Sequence, residues 1–106
     1  MILHVRNRDK INLINVEEIY YFSKSGPFVT IKTKAKEFVF RGTLNDLSHK
    51  LNGKHFLRTH KSYLVNIQRI DTTSRYNNNS YNITFRNIDD VVYMTRNAYS
   101  DYKKTI

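Results

Sequence analysis

The sequence predicts a mainly β domain, built from antiparallel strands with one short helix near its middle and a helical segment at its C-terminus. Three observations predict it. Apolar and polar residues alternate with period two in Phe28-Val29-Thr30-Ile31-Lys32-Thr33-Lys34, and again where Tyr81, Ile83 and Phe85 interleave with Asn82, Thr84 and Arg86, the pattern of half-buried strands. Turn-forming residues punctuate the chain at short intervals, which suits hairpins. Helical spacing of apolar residues appears in only two places, 43–53 and 95–106.

The elements follow in order. Strands are expected near Ile2 to Arg6, Lys10 to Ile14, Ile19 to Ser23, Phe28 to Lys34 and Glu37 to Arg41, each apolar on alternate positions or rich in aromatic and β-branched residues. Ser25-Gly26-Pro27 supplies a permissive glycine beside a fixed φ, and Lys34-Ala35-Lys36 is a tight polar reversal. Thr43 can cap a first turn with Asp46 three residues on; Leu44, Leu47 and Leu51 then share a helix face, and Asn52-Gly53 can end it. His55 to Val65 mixes apolar and cationic residues without a clean period, so a loop with a helical turn fits as well as a strand. Further strands are expected at Ile67 to Thr72, Tyr81 to Arg86 and Val91 to Thr95, with Asn77 to Ser80 as a hairpin tip and Asn87-Ile88-Asp89-Asp90 closing the last hairpin. Thr95 then precedes a helix over Arg96 to Lys104, with Tyr99, Tyr102 and Ile106 on one face.

Composition bounds the function. The chain has 106 residues, enough for one domain spanning 1–106, and no repeat, low-complexity tract or linker divides it. The absence of Cys excludes disulfide scaffolds, thiolate metal sites and Cys nucleophiles, and suits a reducing cytoplasm. No run approaches the roughly 20 apolar residues of a membrane span, and the N-terminus lacks a signal-peptide stretch, so no membrane partner is expected. With 18 Lys+Arg against 9 Asp+Glu, the formal charge is +9, which points to a polyanionic partner.

The densest cationic cluster is Lys54-His55-Phe56-Leu57-Arg58-Thr59-His60-Lys61-Ser62, with apolar residues interleaved as anchors. Arg offers a planar fork for phosphate or guanine, Lys a mobile cation, and Ser and Thr hydroxyls can bind phosphate oxygens. The bland alternative is a solvated charged loop. His49, His55 and His60 invite a metal or acid-base reading, but HExxH is absent and the carboxylates Glu17, Glu18, Asp46 and Asp71 fall in unrelated contexts. His60 is better read as a hydrogen-bond donor that also organises its turn. GxSxG is missing, and Gly26, Gly42 and Gly53 cannot build a phosphate-cradling glycine loop, so no enzyme and no cofactor are expected. Eight tyrosines raise the possibility of stacking on single-stranded bases. Tyr20, Tyr21, Phe22, Phe38 and Phe40 sit in strand patterns, however, where packing explains them better, and no RNP1-type signature is present.

Three stretches resemble a family: Val16-Glu17-Glu18-Ile19-Tyr20-Tyr21-Phe22, Phe40-Arg41-Gly42-Thr43-Leu44-Asn45-Asp46-Leu47, and above all Phe56-Leu57-Arg58-Thr59-His60-Lys61-Ser62-Tyr63-Leu64-Val65-Asn66. The last matches the F-x-R-x-H-x-S-x-x-V-N run of the LytTR DNA-binding domain of bacterial response regulators, and an Arg96-Asn97 pair follows the final strand in the expected place. The resemblance covers residues 2 to 105. It implies an elongated, mostly antiparallel β fold that binds double-stranded promoter DNA from one side, with loops in successive major grooves, in transcription regulation. Such domains bend the duplex, usually pair as dimers on direct repeats, and are commonly the output half of a protein with a receiver domain. The implied contact regions map to Lys24, Ser25, Gly26 and Pro27, to His60, Lys61 and Ser62, and to Arg96 and Asn97. Chemistry then favours Lys61 and Arg96 for guanine O6/N7, with Lys24 and Ser25 as further base contacts; Arg58, His60, Ser62 and Asn97 suit phosphate contact or bracing. Ser25-Gly26-Pro27 departs from the family's longer polar side chains, so readout there rests on Lys24, Ser25 or backbone donors. Two alternatives remain: a basic β domain binding RNA or single-stranded DNA, and a metal-dependent nuclease using the histidines.

Overall fold

The run Ile19-Tyr20-Tyr21-Phe22 is apolar without alternation, as a strand buried on both faces requires. The computed structural model, which describes all 106 residues, places it at the centre. The elements are β1 (Ile2–Asn7), β2 (Lys10–Asn15), β3 (Ile19–Ser25), β4 (Phe28–Thr33), β5 (Glu37–Arg41), α1 (Leu44–Lys50), β6 (Phe56–His60), β7 (Tyr63–Asn66), β8 (Ile70–Asn77), β9 (Ser80–Phe85), β10 (Ile88–Thr95) and α2 (Arg96–Lys103). A five-stranded sheet runs in the order β5-β4-β3-β7-β6, a three-stranded one in the order β10-β9-β8, and β1 pairs with β2 alone. Every pairing is antiparallel, and the mainly β expectation with two helices holds.

Two cores lie on opposite faces of the central sheet. On one face Phe22, Val29, Ile31 and Leu64 meet Leu3, Val5 and Ile14 of the β1–β2 hairpin and Leu44, Leu47 and Leu51 of the α1 region. On the other, Tyr20 and Val65 meet Ile83, Phe85, Val92, Met94 and Ala98 from the three-stranded sheet and α2. A bulge in β3 between Ile19 and Tyr21 sets the phase, turning Tyr20 to the second core and Phe22 to the first. The molecule is elongated, 45 × 26 × 23 Å.

Both helices are capped as their sequences require. The Thr43 hydroxyl accepts from the Asp46 amide and the Thr95 hydroxyl from the Ala98 amide. Of the two readings left open for His55 to Val65, the strand one holds: it is a hairpin of β6 and β7, without a clean period because a bulge between Arg58 and His60 breaks the alternation and β7 is packed on both faces. Three expectations need correction. Ile67–Arg69 is a 3-10 turn rather than strand, because the Asn66 side chain accepts from the Gln68 amide and curls the chain before Ile70. The last hairpin closes at Arg86-Asn87, with Asn87 taking φ 69°, so β10 starts at Ile88 and absorbs the surplus residues in a bulge before Val91. Finally, Ile106 lies past the end of α2 and is 84% exposed, whereas Tyr99 and Tyr102 pack on the second core.

Candidate nucleic-acid interface

The strand registers bring two hairpin tips to one end of the molecule. Ser25 pairs with Phe28 across Gly26-Pro27, and Ser23 pairs with Tyr63, so the β3–β4 and β6–β7 tips are neighbours. The Lys24 amide donates to the Ser62 carbonyl at 2.9 Å and joins them backbone to backbone. Gly26 takes φ +57°, where a side chain would be strained. The Gly42 amide donates to the Pro27 carbonyl at 3.2 Å, bringing the lead-in to α1 against the same tip. A Cβ at Gly42 would stand 2.6 Å from the Phe40 ring, which accounts for glycine there.

Arg58 holds the second tip. Its Nε donates to the His60 carbonyl at 3.1 Å, Nη2 to the Lys61 carbonyl at 2.6 Å and Nη1 to the Asn45 Oδ1 at 2.9 Å. Each of the three guanidinium nitrogens donates once inside the protein. His60 Nδ1 accepts from the Ser62 amide at 3.0 Å, so His60 organises its turn through an accepting ring nitrogen. In the neutral ring this assigns the proton to Nε2. Ser62 spends its amide and its carbonyl on these same contacts. Lys61, by contrast, projects from the tip with an exposed side chain that makes no ion pair or hydrogen bond.

The third point arrives from the other sheet. The Asp90 carboxylate accepts from the Tyr21 hydroxyl at 2.6 Å, and further along β10 the Tyr93 carbonyl accepts from the buried Thr59 hydroxyl at 2.9 Å. Strand β10 therefore runs along the central sheet toward the β6–β7 tip, and Arg96 follows directly at the start of α2. The Arg96 amide donates to the Asn79 carbonyl at 3.1 Å, while the Arg96 and Asn97 side chains are exposed.

Between the first tip, β5 and α1 lies a groove of about 480 Å³, lined by Lys24, Arg41 and Arg58 with no carboxylate among its lining residues. Arg41 was not among the residues expected from sequence; its position between the Phe38/Phe40 strand and Gly42-Thr43 is the signal that marks it. Lys24 and Ser25 are exposed. Lys32, an unassigned cation in the sequence, is tied to Glu37 at 3.8 Å and Asp90 at 3.7 Å. No group of three or more His, Asp or Glu side chains is placed to hold a metal ion, and no helix is long and apolar enough to cross a membrane. Tyr20 and Phe22 are buried and Tyr21 is half-buried, leaving Tyr76 and Tyr93 as the exposed tyrosines of the strands.

With that geometry in place, the LytTr DNA-binding domain family matches residues 9–106. The chain belongs to the LytTR family. Transcriptional regulatory protein NatR of Bacillus subtilis is 28% identical over 92 residues, a stretch covering 87% of this chain and 40% of NatR. YpdB of Escherichia coli K12 is 24% identical over 107 residues, covering 93% of this chain and 44% of YpdB. Sensory transduction protein LytT of Bacillus cereus is 33% identical over 78 residues, covering 74% of this chain and 32% of LytT. The chain thus spans less than half the length of these regulators. A solved LytTr DNA-binding domain from Bacillus cereus superposes with a TM-score of 0.83 over 97% of this chain and 94% of that one, at 14% identity, so the LytTR fold is shared.

Proposed function

We propose that residues 1–106 of this LytTR chain act as one sequence-specific reader of double-stranded promoter DNA in transcription regulation. The observation that carries the reading is the joined pair of tips, where Arg58 holds a turn by three hydrogen bonds and Lys61 projects from it unpaired. A rigid turn fixes the approach of one mobile cation, as base reading in a major groove requires. Lys61 donates to guanine O6/N7, and Lys24 and Ser25 enter with it as one unit. Arg96 forms the second point, with its guanidinium suited to bidentate contact, and Asn97 beside it takes phosphate. The long axis of 45 Å exceeds one duplex turn of about 34 Å, which suits contacts in successive major grooves. His60 and Ser62 set the turn; His60 Nε2 remains a donor for phosphate.

The chain spans less than half of the regulators NatR, YpdB and LytT, and on the family resemblance it serves as the output part of a longer two-component response regulator carrying a receiver domain, in the bacterial cytoplasm, and pairs on direct repeats without cofactor or catalysis. Selection of bound sequences from a random duplex pool tests this. A direct-repeat motif is expected; enrichment of no motif, or equal retention of single strands, would overturn it. Within the selected motif, Lys61→Ala and Arg96→Ala should each cost roughly 1 to 3 kcal/mol and flatten preference at particular base pairs. Equal loss on every sequence would instead assign those side chains to phosphate.

A further inference from the structure

Lys24, Lys61 and Arg96 belong to the proposed interface, but three other cations gather at a separate place. Arg8, Lys10 and Lys36 line a second groove, of about 600 Å³, between the β1–β2 hairpin and β5. Asn7 and Asn12 contribute amides to it, and Glu37 is its one carboxylate. That carboxylate already faces Lys32 at 3.8 Å, whereas none of the three groove cations has an acidic partner. The groove is also fixed in shape. Asn7 Nδ2 donates to the Val39 carbonyl at 3.3 Å and ties the hairpin tip to β5, and the Lys36 ammonium stands 4.8 Å above the Phe38 ring. Arg8 takes φ 58°, a left-handed backbone that glycine or asparagine adopts at lower cost.

The two grooves lie at opposite ends of β5. Lys36 precedes the strand and Arg41 ends it, so they are separated by roughly five residues, about 16 Å of extended chain. That length matches roughly five base pairs of duplex at 3.4 Å each. We infer that the groove formed by Arg8, Lys10 and Lys36 is a second, sequence-independent seat for the phosphate backbone, engaging duplex that flanks the recognised site. This inference rests on the reading of the chain as a duplex DNA reader. Ammonium and guanidinium groups without acidic partners release counterions from phosphates, and the neighbouring amides donate to the same oxygens.

The test compares a duplex trimmed to the selected motif with one extended by about a further helical turn on each side. Arg8→Ala/Lys10→Ala/Lys36→Ala should bind the trimmed duplex as the parent does. On the extended duplex it should lose on the order of tenfold in affinity, and its salt dependence should be shallower by about one unit of slope per cation removed. Arg8→Gly separates charge from folding, because it relieves the strained backbone while removing one cation; it should melt no lower than the parent yet lose part of the flank-dependent affinity. Equal binding of parent and triple variant to the extended duplex overturns the inference and leaves the Lys61 and Arg96 reading standing. Failure of the parent to prefer any duplex sequence overturns both.

Discussion

Arg58 makes three hydrogen bonds, and each of its partners fixes a different part of the interface: two carbonyls of the β6–β7 tip and the Asn45 side chain on α1. Bonds of this kind to a charged group contribute about 1.5 to 3 kcal/mol each at most, less at a half-exposed site. Arg58→Ala should therefore lower the melting temperature and weaken DNA binding on every sequence alike, in contrast to the base-selective loss at Lys61. Arg58→Lys should rescue little, because an ammonium cannot reproduce the planar fork. Calorimetry beside a binding titration checks both; a variant with unchanged stability and base-selective loss would make Arg58 a DNA contact instead. The sequence made the cluster visible but not this division of labour. Arg58 and Lys61 look alike as cations in a polar run, and only the turn's geometry shows that one is spent and the other free.

At the scale of elements, the two sheets meet where β6 and β10 run side by side, and the link is the wholly buried Thr59 hydroxyl on the Tyr93 carbonyl. Thr59→Val keeps the shape and removes the donor, leaving the Tyr93 carbonyl without this partner, so a loss of about 0.5 to 1.5 kcal/mol is expected in denaturant unfolding. A neutral outcome would mean that water replaces the hydroxyl. Elements whose faces differ were legible in the sequence: β4 and β9 alternate cleanly, and α1 announces itself by its leucines and its threonine cap. The β6–β7 hairpin was not, since Leu64 faces one core and Val65 the other, which erases the period that marks a strand. The 3-10 turn at Ile67–Arg69 was hidden for a different reason: a single Asn66 side chain ends the extended run, overriding β-branched propensity.

For the molecule as a whole, Tyr21, Asp90 and Lys32 tie the central sheet to the last hairpin. Burial, then the hydrogen bond to Asp90 and that residue's charge, pushes the Tyr21 hydroxyl well above its ordinary value of 10.0. A group held protonated in the folded state contributes stability that is complete below the unfolded pKa and declines as pH rises beyond it. Stability should thus fall from about pH 10 upward, and Tyr21→Phe should blunt that alkaline decline while removing the tie at neutral pH. An identical pH profile in the variant would contradict this. The same architecture sets a timetable for folding. Strand β3 pairs with the distant β7 through Tyr21–Val65, Phe22–Leu64 and Ser23–Tyr63, and the Asn66 side chain donates to the Ile19 carbonyl across 47 residues. Closing so long a loop carries a large entropic cost before any contact offsets it. The Lys24 to Ser62 bond that unites the tips needs both segments, so a growing chain that has not yet reached Ser62 cannot join the two tips on which the proposed reading depends.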